Sequence, residues 1–405
     1  MIVLVLNCGS SSIKYQVMKM TGAGSSTLLA KGQVERIGLP EGLLTHKPVG
    51  GETLETARRI SNHTQGIQMI IDAITDPKYG VIESLSQIGA VGHRVAHGGE
   101  YFHGSALVNE DVIAKIRSCC ELAPLHNPAS LEGIMSIAQL LPDVPQVTAF
   151  DTSFHQTIPA RNFMFAIPYE YYEQYRVRKY GFHGTSHKYV AARGAELAGI
   201  DLGASRIITC HIGNGASITA VQNGKSVDTS MGFSPVDGLM MGTRCGNLDP
   251  SALLYVMEKE NMDTAQAKDL INKRSGVLGI TGVSSDMRDI DAAAHNGNER
   301  AVLALKMYEG RIRKFIGQYA AEMGGVDMIV FTGGVGENND KFRRNCCRGL
   351  EFMGVQFDEK ANEGVRGKDT IISAPDSKVK VAIIATDEER VIASDTYQIV
   401  SGLSK

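Results

Sequence analysis

The most constraining feature of this 405-residue chain is a pattern that occurs twice. Residues 3–18 read VLVLNCGSSSIKYQVM, and residues 206–225 read RIITCHIGNGASITAVQNGK. Each has an apolar run, a turn of glycine, asparagine and serine, and then an alternating segment, which predicts a β-hairpin. Such a turn presents successive backbone N–H groups, a concavity of positive potential that suits an anion such as phosphate. Two of them about 200 residues apart predict two similar domains, since a repeated unit folds the same way twice. The length agrees, because a single hydrophobic core rarely extends over so long a chain.

Between and beyond the hairpins, short apolar runs alternate with helical periods, which predicts an α/β fold. Strands are expected over 2–6, 13–18, 88–91, 146–150, 206–210, 217–221, 328–331 and 379–384. Pro128 stands at a first-turn position before Leu131, Ile134, Ile137 and Leu141, and Pro142 stops that helix. The longest helical pattern runs from Asn298 to Met323 and ends at Gly324-Gly325. A third glycine cluster, MIVFTGGVGENN at 328–339, follows an apolar strand and is expected to open a helix from Asn338 to Leu350. Its N-terminus would offer unpaired N–H groups to a nucleotide at the strand's carboxyl end. It is not G-x-G-x-x-G, and no G-x-x-x-x-G-K-[ST] occurs anywhere, which excludes a Walker-type NTPase.

Composition narrows the partners. A formal net charge of -3 with 21% charged residues leaves no basic footprint for nucleic acid or an anionic membrane. No run reads as a signal peptide or a membrane span, so the cytoplasm is expected. The seven cysteines show no C-x-x-C spacing and read as reduced thiols, none with a catalytic role.

Several single residues carry chemistry. In the first hairpin a period of two puts Ser10, Ser12 and Lys14 on one face, able to hold a phosphate, while the Asn7 carbonyl suits a magnesium-bound water. Asp151 follows the strand 146–150, where it can reach a ligand or cap a turn. In ATDEERVIA (385–393) the acids stand where a strand passes into the last helix, where they complement its N-terminus. His93/His97 and His183/His187 have H-x-x-x-H spacing, yet zinc is set aside: glycines flank both pairs, and a strand would set such residues roughly 13 Å apart.

Eight segments in order, NCGSSSIK (7–14), GHRVAHGGE (92–100), APLHNP (123–128), FDTSFHQT (150–157), YGFHGTSH (180–187), HIGNGAS (211–217), DTSMGFSPVDGLMMGTRCG (228–246) and FTGGVGEN (331–338), resemble the acetate and propionate kinase family, within the sugar kinase, Hsp70 and actin superfamily. The resemblance spans nearly the whole chain. It implies two similar ribonuclease-H-like domains with an interdomain nucleotide cleft. The first would be 1–150, completed by the C-terminal helix 386–405, and the second, for nucleotide binding and dimerisation, 151–385.

The activity it implies is reversible, direct in-line transfer of the ATP γ-phosphoryl group to acetate, giving acetyl phosphate and ADP, with Mg2+, in a homodimer. The rivals are a propionate kinase, a covalent route through Asp151 or Glu388, and a non-catalytic ATP binder. By the same resemblance Arg94, Asp151, His183 and Arg244 are catalytic, and His126 joins His183 and Arg244 in stabilising the transition state. Arg94, Ala96, Leu125, Phe182 and Pro235 bind the acid. Asn7, Ser10, Ser12, Lys14, His211, Gly213, Asn214, Gly215, Asp286, Met287, Arg288, Gly333, Gly334, Gly336 and Asn338 bind the nucleotide, and Asn7 and Glu388 the metal.

The residue types make chemical sense. Acceptor and phosphoryl donor are both anions, so the site needs fixed cations more than a base. A carboxylic acid with a pKa near ~4.3 is already ionised at neutral pH. Arg94, Arg244, His126 and His183 all lie in glycine- or proline-containing segments, as suits side chains aimed at a ligand.

Four positions in three segments depart from the family's pattern. Ala96 stands where acetate kinases carry valine and propionate kinases alanine; on the face of Arg94 by strand alternation, it leaves room for one more carbon. Asp387 replaces an asparagine and either alters magnesium binding or caps the final helix. TRCGN replaces TRSGD and removes none of the charged groups named above.

Overall fold

The computed structural model describes residues 1–403, so the last two residues of the expected terminal segment 386–405 lie outside the described residues. The chain divides into two compact units, one of Met1–Gln156 with the segment from Asp387 onward, the other of Thr157–Thr386.

The first unit is built on eight strands: β1 (Ile2–Cys8), β2 (Ser12–Gly22), β3 (Ser25–Glu35), β4 (Gly42–Pro48), β5 (Leu54–Arg58), β6 (Ile88–Val95), β7 (Ala106–Leu107) and β8 (Gln146–Phe150). Their order across the sheet is β5-β4-β3-β2-β1-β6-β8-β7. β1 is the hinge of the pattern, antiparallel to β2 and parallel to β6. It is buried on both faces, which is why it reads as a continuous apolar run. Leu4 and Leu6 pack with Ile67 and Ile70 of helix His63–Ile74 and Ile137 of helix Asn127–Leu140. Val3 and Val5 pack on the opposite side with Ile392 and Val400 of the terminal helix Glu388–Leu403. Burying each such side chain contributes about 1.5–3 kcal/mol.

The second unit carries β9 (Arg206–Ile212), β10 (Ala216–Gln222), β11 (Lys225–Thr229), β12 (Met328–Thr332), β13 (Thr370–Ile371) and β14 (Lys380–Ile383), ordered β11-β10-β9-β12-β14-β13. The antiparallel run β9-β10-β11 followed by parallel β12 and β14 repeats the arrangement of β1-β2-β3 with β6 and β8. The two units are thus similar, as the twin hairpins predict, and each is ribonuclease-H-like, as the family resemblance implies. Helix Glu299–Glu322 covers this sheet, capped by the Asn298 side chain, which accepts from the Ala301 N–H at 3.0 Å, and followed by Gly324 with φ 67°.

All eight expected strands form. The expectation of one helix over 338–350 is corrected: the glycine cluster is itself helical, Gly333–Asn338, and a second helix, Asp340–Cys347, starts after Asn339, whose φ of -119° and ψ of 99° break the run. Strand β6 reaches Val95, past the expected Val91, so Arg94 sits on a strand, while Ala96 lies just beyond it, where strand alternation does not set its direction.

Candidate active site

In the first unit the centre is a salt bridge. Arg94, near the end of β6, donates from Nε to Asp151 Oδ1 at 2.9 Å and from Nη2 to Asp151 Oδ2 at 2.6 Å. Its Nη1 points to Asn7 Oδ1 at 3.5 Å, at the end of β1. Asp151, directly after β8, is only 2% exposed, so its charge raises the guanidinium pKa well above the ordinary value. The bidentate grip fixes the arginine fork while leaving it partly exposed.

Glu388 and Glu389 open the terminal helix. Burial raises the pKa of Glu388; the charge of Arg94 opposes this and that of Asp151 adds to it. Glu389 is also raised, by burial first. Asp387 accepts from the Arg390 N–H at 3.1 Å and so caps this helix. Three carboxylates, Asp151, Glu388 and Glu389, acting on one guanidinium leave surplus negative charge, which fits a divalent cation. No group of three or more histidine, cysteine or acidic side chains among the described residues is placed to hold a metal, so an ion here would keep much of its water, as magnesium does.

Asn127 is a residue the sequence reading missed. Fully buried at the start of helix Asn127–Leu140, it accepts from the His97 N–H at 3.0 Å and donates to the His97 carbonyl at 2.8 Å. It thereby pins the segment that carries Arg94 and Ala96. Ala96 is 9% exposed, whereas Leu125 and His126 are on the surface of the unit. Lys14 is exposed and Ser12 half-buried, on the one face of β2 that alternation predicts, whereas Ser10, exposed like Ser11, lies in the turn before the strand, where alternation does not apply; Lys14 lines a groove with Lys31, Lys47 and Glu389.

In the second unit His183 caps helix Gly184–Ala198 with φ 56° and ψ 24°, a left-handed conformation uncommon for a side-chain-bearing residue. Its Nδ1 lies 2.8 Å from Ser217 Oγ, and its ring stacks on His211 at 4.3 Å. A Cβ built on Gly215 would lie 3.4 Å from Arg244 Nη1 and 3.8 Å from His183 Nε2, so the guanidinium and the imidazole both border the second hairpin's turn. Arg244 contacts only the Pro235 carbonyl at 3.5 Å and Met241 Sδ at 3.8 Å; among the described residues no carboxylate pairs with it, and burial lowers its pKa. Phe182, expected against the acid, is buried in this unit's core.

His183 and His187 correct the argument used to set zinc aside: they stand on one helical turn, with ring centroids 6.4 Å apart, not on a strand. Ser217 occupies the position between them, 2.7 Å from His187 Nε2.

A cavity of 810 Å³ lies beside this turn, within the usual range for a bound ligand. It gathers Gly213, Asn214, Asp286, Met287, Arg288, Gly334 and Asn338, and adds Asp291, Lys341, Arg366 and Tyr308, whose hydroxyl is buried without a hydrogen-bond partner. Asp286 pairs with Arg288, which holds its pKa at about 2. Gly333 and Gly336 are buried and shape the turn without lining the cavity. Gly333 has φ 78°, and a Cβ there would meet the Ile212 carbonyl oxygen at 2.8 Å, so only glycine fits.

The acetokinase family model matches residues 2–394. The chain belongs to the acetokinase family. As an acetokinase it is 53% identical over 398 residues to an acetate kinase of Parabacteroides distasonis, covering 98% of this chain and 99% of that one. The crystal structure of Porphyromonas gingivalis acetate kinase superposes with a TM-score of 0.95 at 52% identity, covering 98% of this chain and 99% of that chain. A propionate kinase from Francisella tularensis gives 0.89 at 40% identity with the same coverage.

Proposed function

We propose that this acetokinase transfers the γ-phosphoryl group of ATP to acetate, reversibly and directly. The observation that carries the reading is the guanidinium of Arg244, half-buried, without a carboxylate partner among the described residues and beside His183 over the Gly215 turn. A desolvated cation left uncompensated is unfavourable unless an anion comes to it. In the proposed reaction an acetate oxygen attacks the γ-phosphorus as the bond to the β–γ bridging oxygen breaks, giving acetyl phosphate and ADP. No proton moves, because the acid is already ionised.

Arg94, held by Asp151, orients the acetate carboxylate, with Ala96 near its methyl group. His183, Arg244 and His126 stabilise the charge on the transferring group in the transition state, and the turn at Gly213–Gly215 with the 810 Å³ cavity receives the nucleotide. Asn7 and Glu388 would hold Mg2+ through water; when bound, it supplies charge neutralisation at the phosphates. Propionate is a second acid for the same pocket, since one methylene discriminates by only ~1–3 kcal/mol.

The same reading places the protein in the cytoplasm as a homodimer. All seven thiols are free, which suits a reducing compartment, and Leu254, Tyr255 and Val256 on helix Pro250–Glu260 are exposed apolar residues that a second copy would cover. The test is hydroxylamine trapping with ATP, Mg2+ and acetate, propionate or butyrate. Acyl hydroxamate from acetate, and less from propionate, is expected; none from any acid refutes the proposal.

A further inference from the structure

We propose that His187 is a positioning residue: acting through the Ser217 hydroxyl, it holds the proton of His183 on Nε2, the nitrogen nearer Arg244. The inference rests on the kinase reading above only for its consequence in catalysis.

Three buried groups and the half-buried His183 form a chain. Thr209 Oγ1 lies 2.7 Å from His187 Nδ1, His187 Nε2 lies 2.7 Å from Ser217 Oγ, and Ser217 Oγ lies 2.8 Å from His183 Nδ1. Thr209, His187 and Ser217 are each 0% exposed, so bulk water does not compete along the chain. A hydroxyl carries one proton and a neutral imidazole carries one, so within the chain all donors point the same way. The Thr209 hydroxyl has two acceptors in reach, His187 Nδ1 at 2.7 Å and the Thr219 carbonyl at 3.5 Å; when it donates to the nearer one, His187 Nε2–H donates to Ser217, Ser217 donates to His183 Nδ1, and the His183 proton must sit on Nε2. In the reverse order Nε2 presents a bare lone pair.

His183 Nε2 and Arg244 Nη1 border the same point above Gly215, so the outward nitrogen of His183 is Nε2. An anionic phosphoryl oxygen is repelled by a lone pair there and attracted by an N–H, which selects the first order. The titratable and charged groups packed about His183 include His187 on its own helix, His211 on β9 and Arg244 on the 228–246 loop. Beside that arginine a second positive charge is unfavourable. The chain removes the need for one, since it makes Nε2 a donor while His183 stays neutral.

The test compares kcat and KM between about pH 5.5 and 9 for wild type, Ser217→Ala, His187→Ala and His187→Gln. Wild type keeps its kcat through the ordinary histidine range. Ser217→Ala and His187→Ala lose about tenfold in kcat at alkaline pH with little change in KM. The deficit narrows in acid, because an imidazolium carries an Nε2 proton whatever its neighbours. His187→Gln recovers most of the loss, since its amide N–H donates to Ser217 from the Nε2 position. A Ser217→Ala profile parallel to wild type, or His187→Gln no better than His187→Ala, overturns the proposal.

Ser217→Ala keeps the fold even if the His187 variants do not. 15N NMR of labelled histidine in the resting wild-type enzyme gives an independent reading: the His183 proton on Nε2 is expected, and on Nδ1 contradicts the proposal. That spectrum does not depend on turnover, so failure of the relay and failure of the kinase reading are separable.

Discussion

Replacing the two site arginines by alanine separates binding of a substrate charge from maintenance of the fold. Arg94 is locked to Asp151, which is 2% exposed, by two short charged hydrogen bonds. Arg94→Ala strands that carboxylate, and breaking a buried pair on one side costs about 3–5 kcal/mol. Arg244 has no carboxylate partner among the described residues, and its lowered pKa reflects desolvation. Arg244→Ala therefore leaves stability unchanged or slightly higher. Its catalytic cost is that of losing one preorganised donor to the transition state, about 10²–10³ in kcat, equal to ~2.7–4 kcal/mol at 1.36 kcal/mol per tenfold.

Hydroxamate kinetics measure the first quantity and urea unfolding the second, with the transition of each unit followed separately because a two-unit chain need not unfold in one step. Arg94→Ala should lose both activity and the stability of the first unit; Arg244→Ala should lose activity alone. The reasoning is refuted if Arg244→Ala retains activity within about threefold of wild type, or if it destabilises as much as Arg94→Ala.

Other substitutions probe separate parts. Glu388 has a raised pKa in the folded state, so its contribution is full below the ordinary carboxylate range and is lost as pH rises through the folded value. Glu388→Gln should thus stabilise the protein at neutral pH, with the gain vanishing near pH ~4, and should abolish the rise in melting temperature that Mg2+ gives wild type; unfolding scans at several pH values check both. Gly333→Ala forces a side chain against the Ile212 carbonyl at positive φ and should weaken nucleotide binding by tenfold or more, about 1.4 kcal/mol, in a titration with ADP. Ala96→Val should lower kcat/KM for propionate relative to acetate by about tenfold, since one methylene is worth ~1–3 kcal/mol; competition between the two acids reads the ratio.

Much of the fold was legible because its central strands are buried on both faces. β1 and β12 are largely apolar runs, β9 admits only the buried Thr209 and His211 within one, and the glycine turns after β1 and β9 mark the hairpins. The meander β3-β4-β5 was not read, because Lys31, Gln33, Thr45 and Glu55 alternate with apolar residues and interrupt any continuous run. The break at Asn339 was missed for a local reason: its side chain caps the next helix by accepting from the Phe342 N–H, a capping signal hidden inside an apparent period. Arg94, Asp151, His183 and Arg244 were named from the family resemblance. The groups that hold them were not, since the links Asn127 to His97 and His187 to Ser217 join positions 30 residues apart in the chain. Asn127 had a usable signal, standing beside His126 and before the helix-opening Pro128.

The most direct test that the phosphoryl group passes onto a carboxylate oxygen is 31P NMR of the enzyme with ATP, Mg2+ and acetate labelled with 18O in both oxygens. The account predicts acetyl phosphate whose phosphorus signal carries the isotope shift of one bridging 18O, because an acetate oxygen becomes the bridge. Inorganic phosphate without acetyl phosphate, or acetyl phosphate lacking that shift, would contradict it.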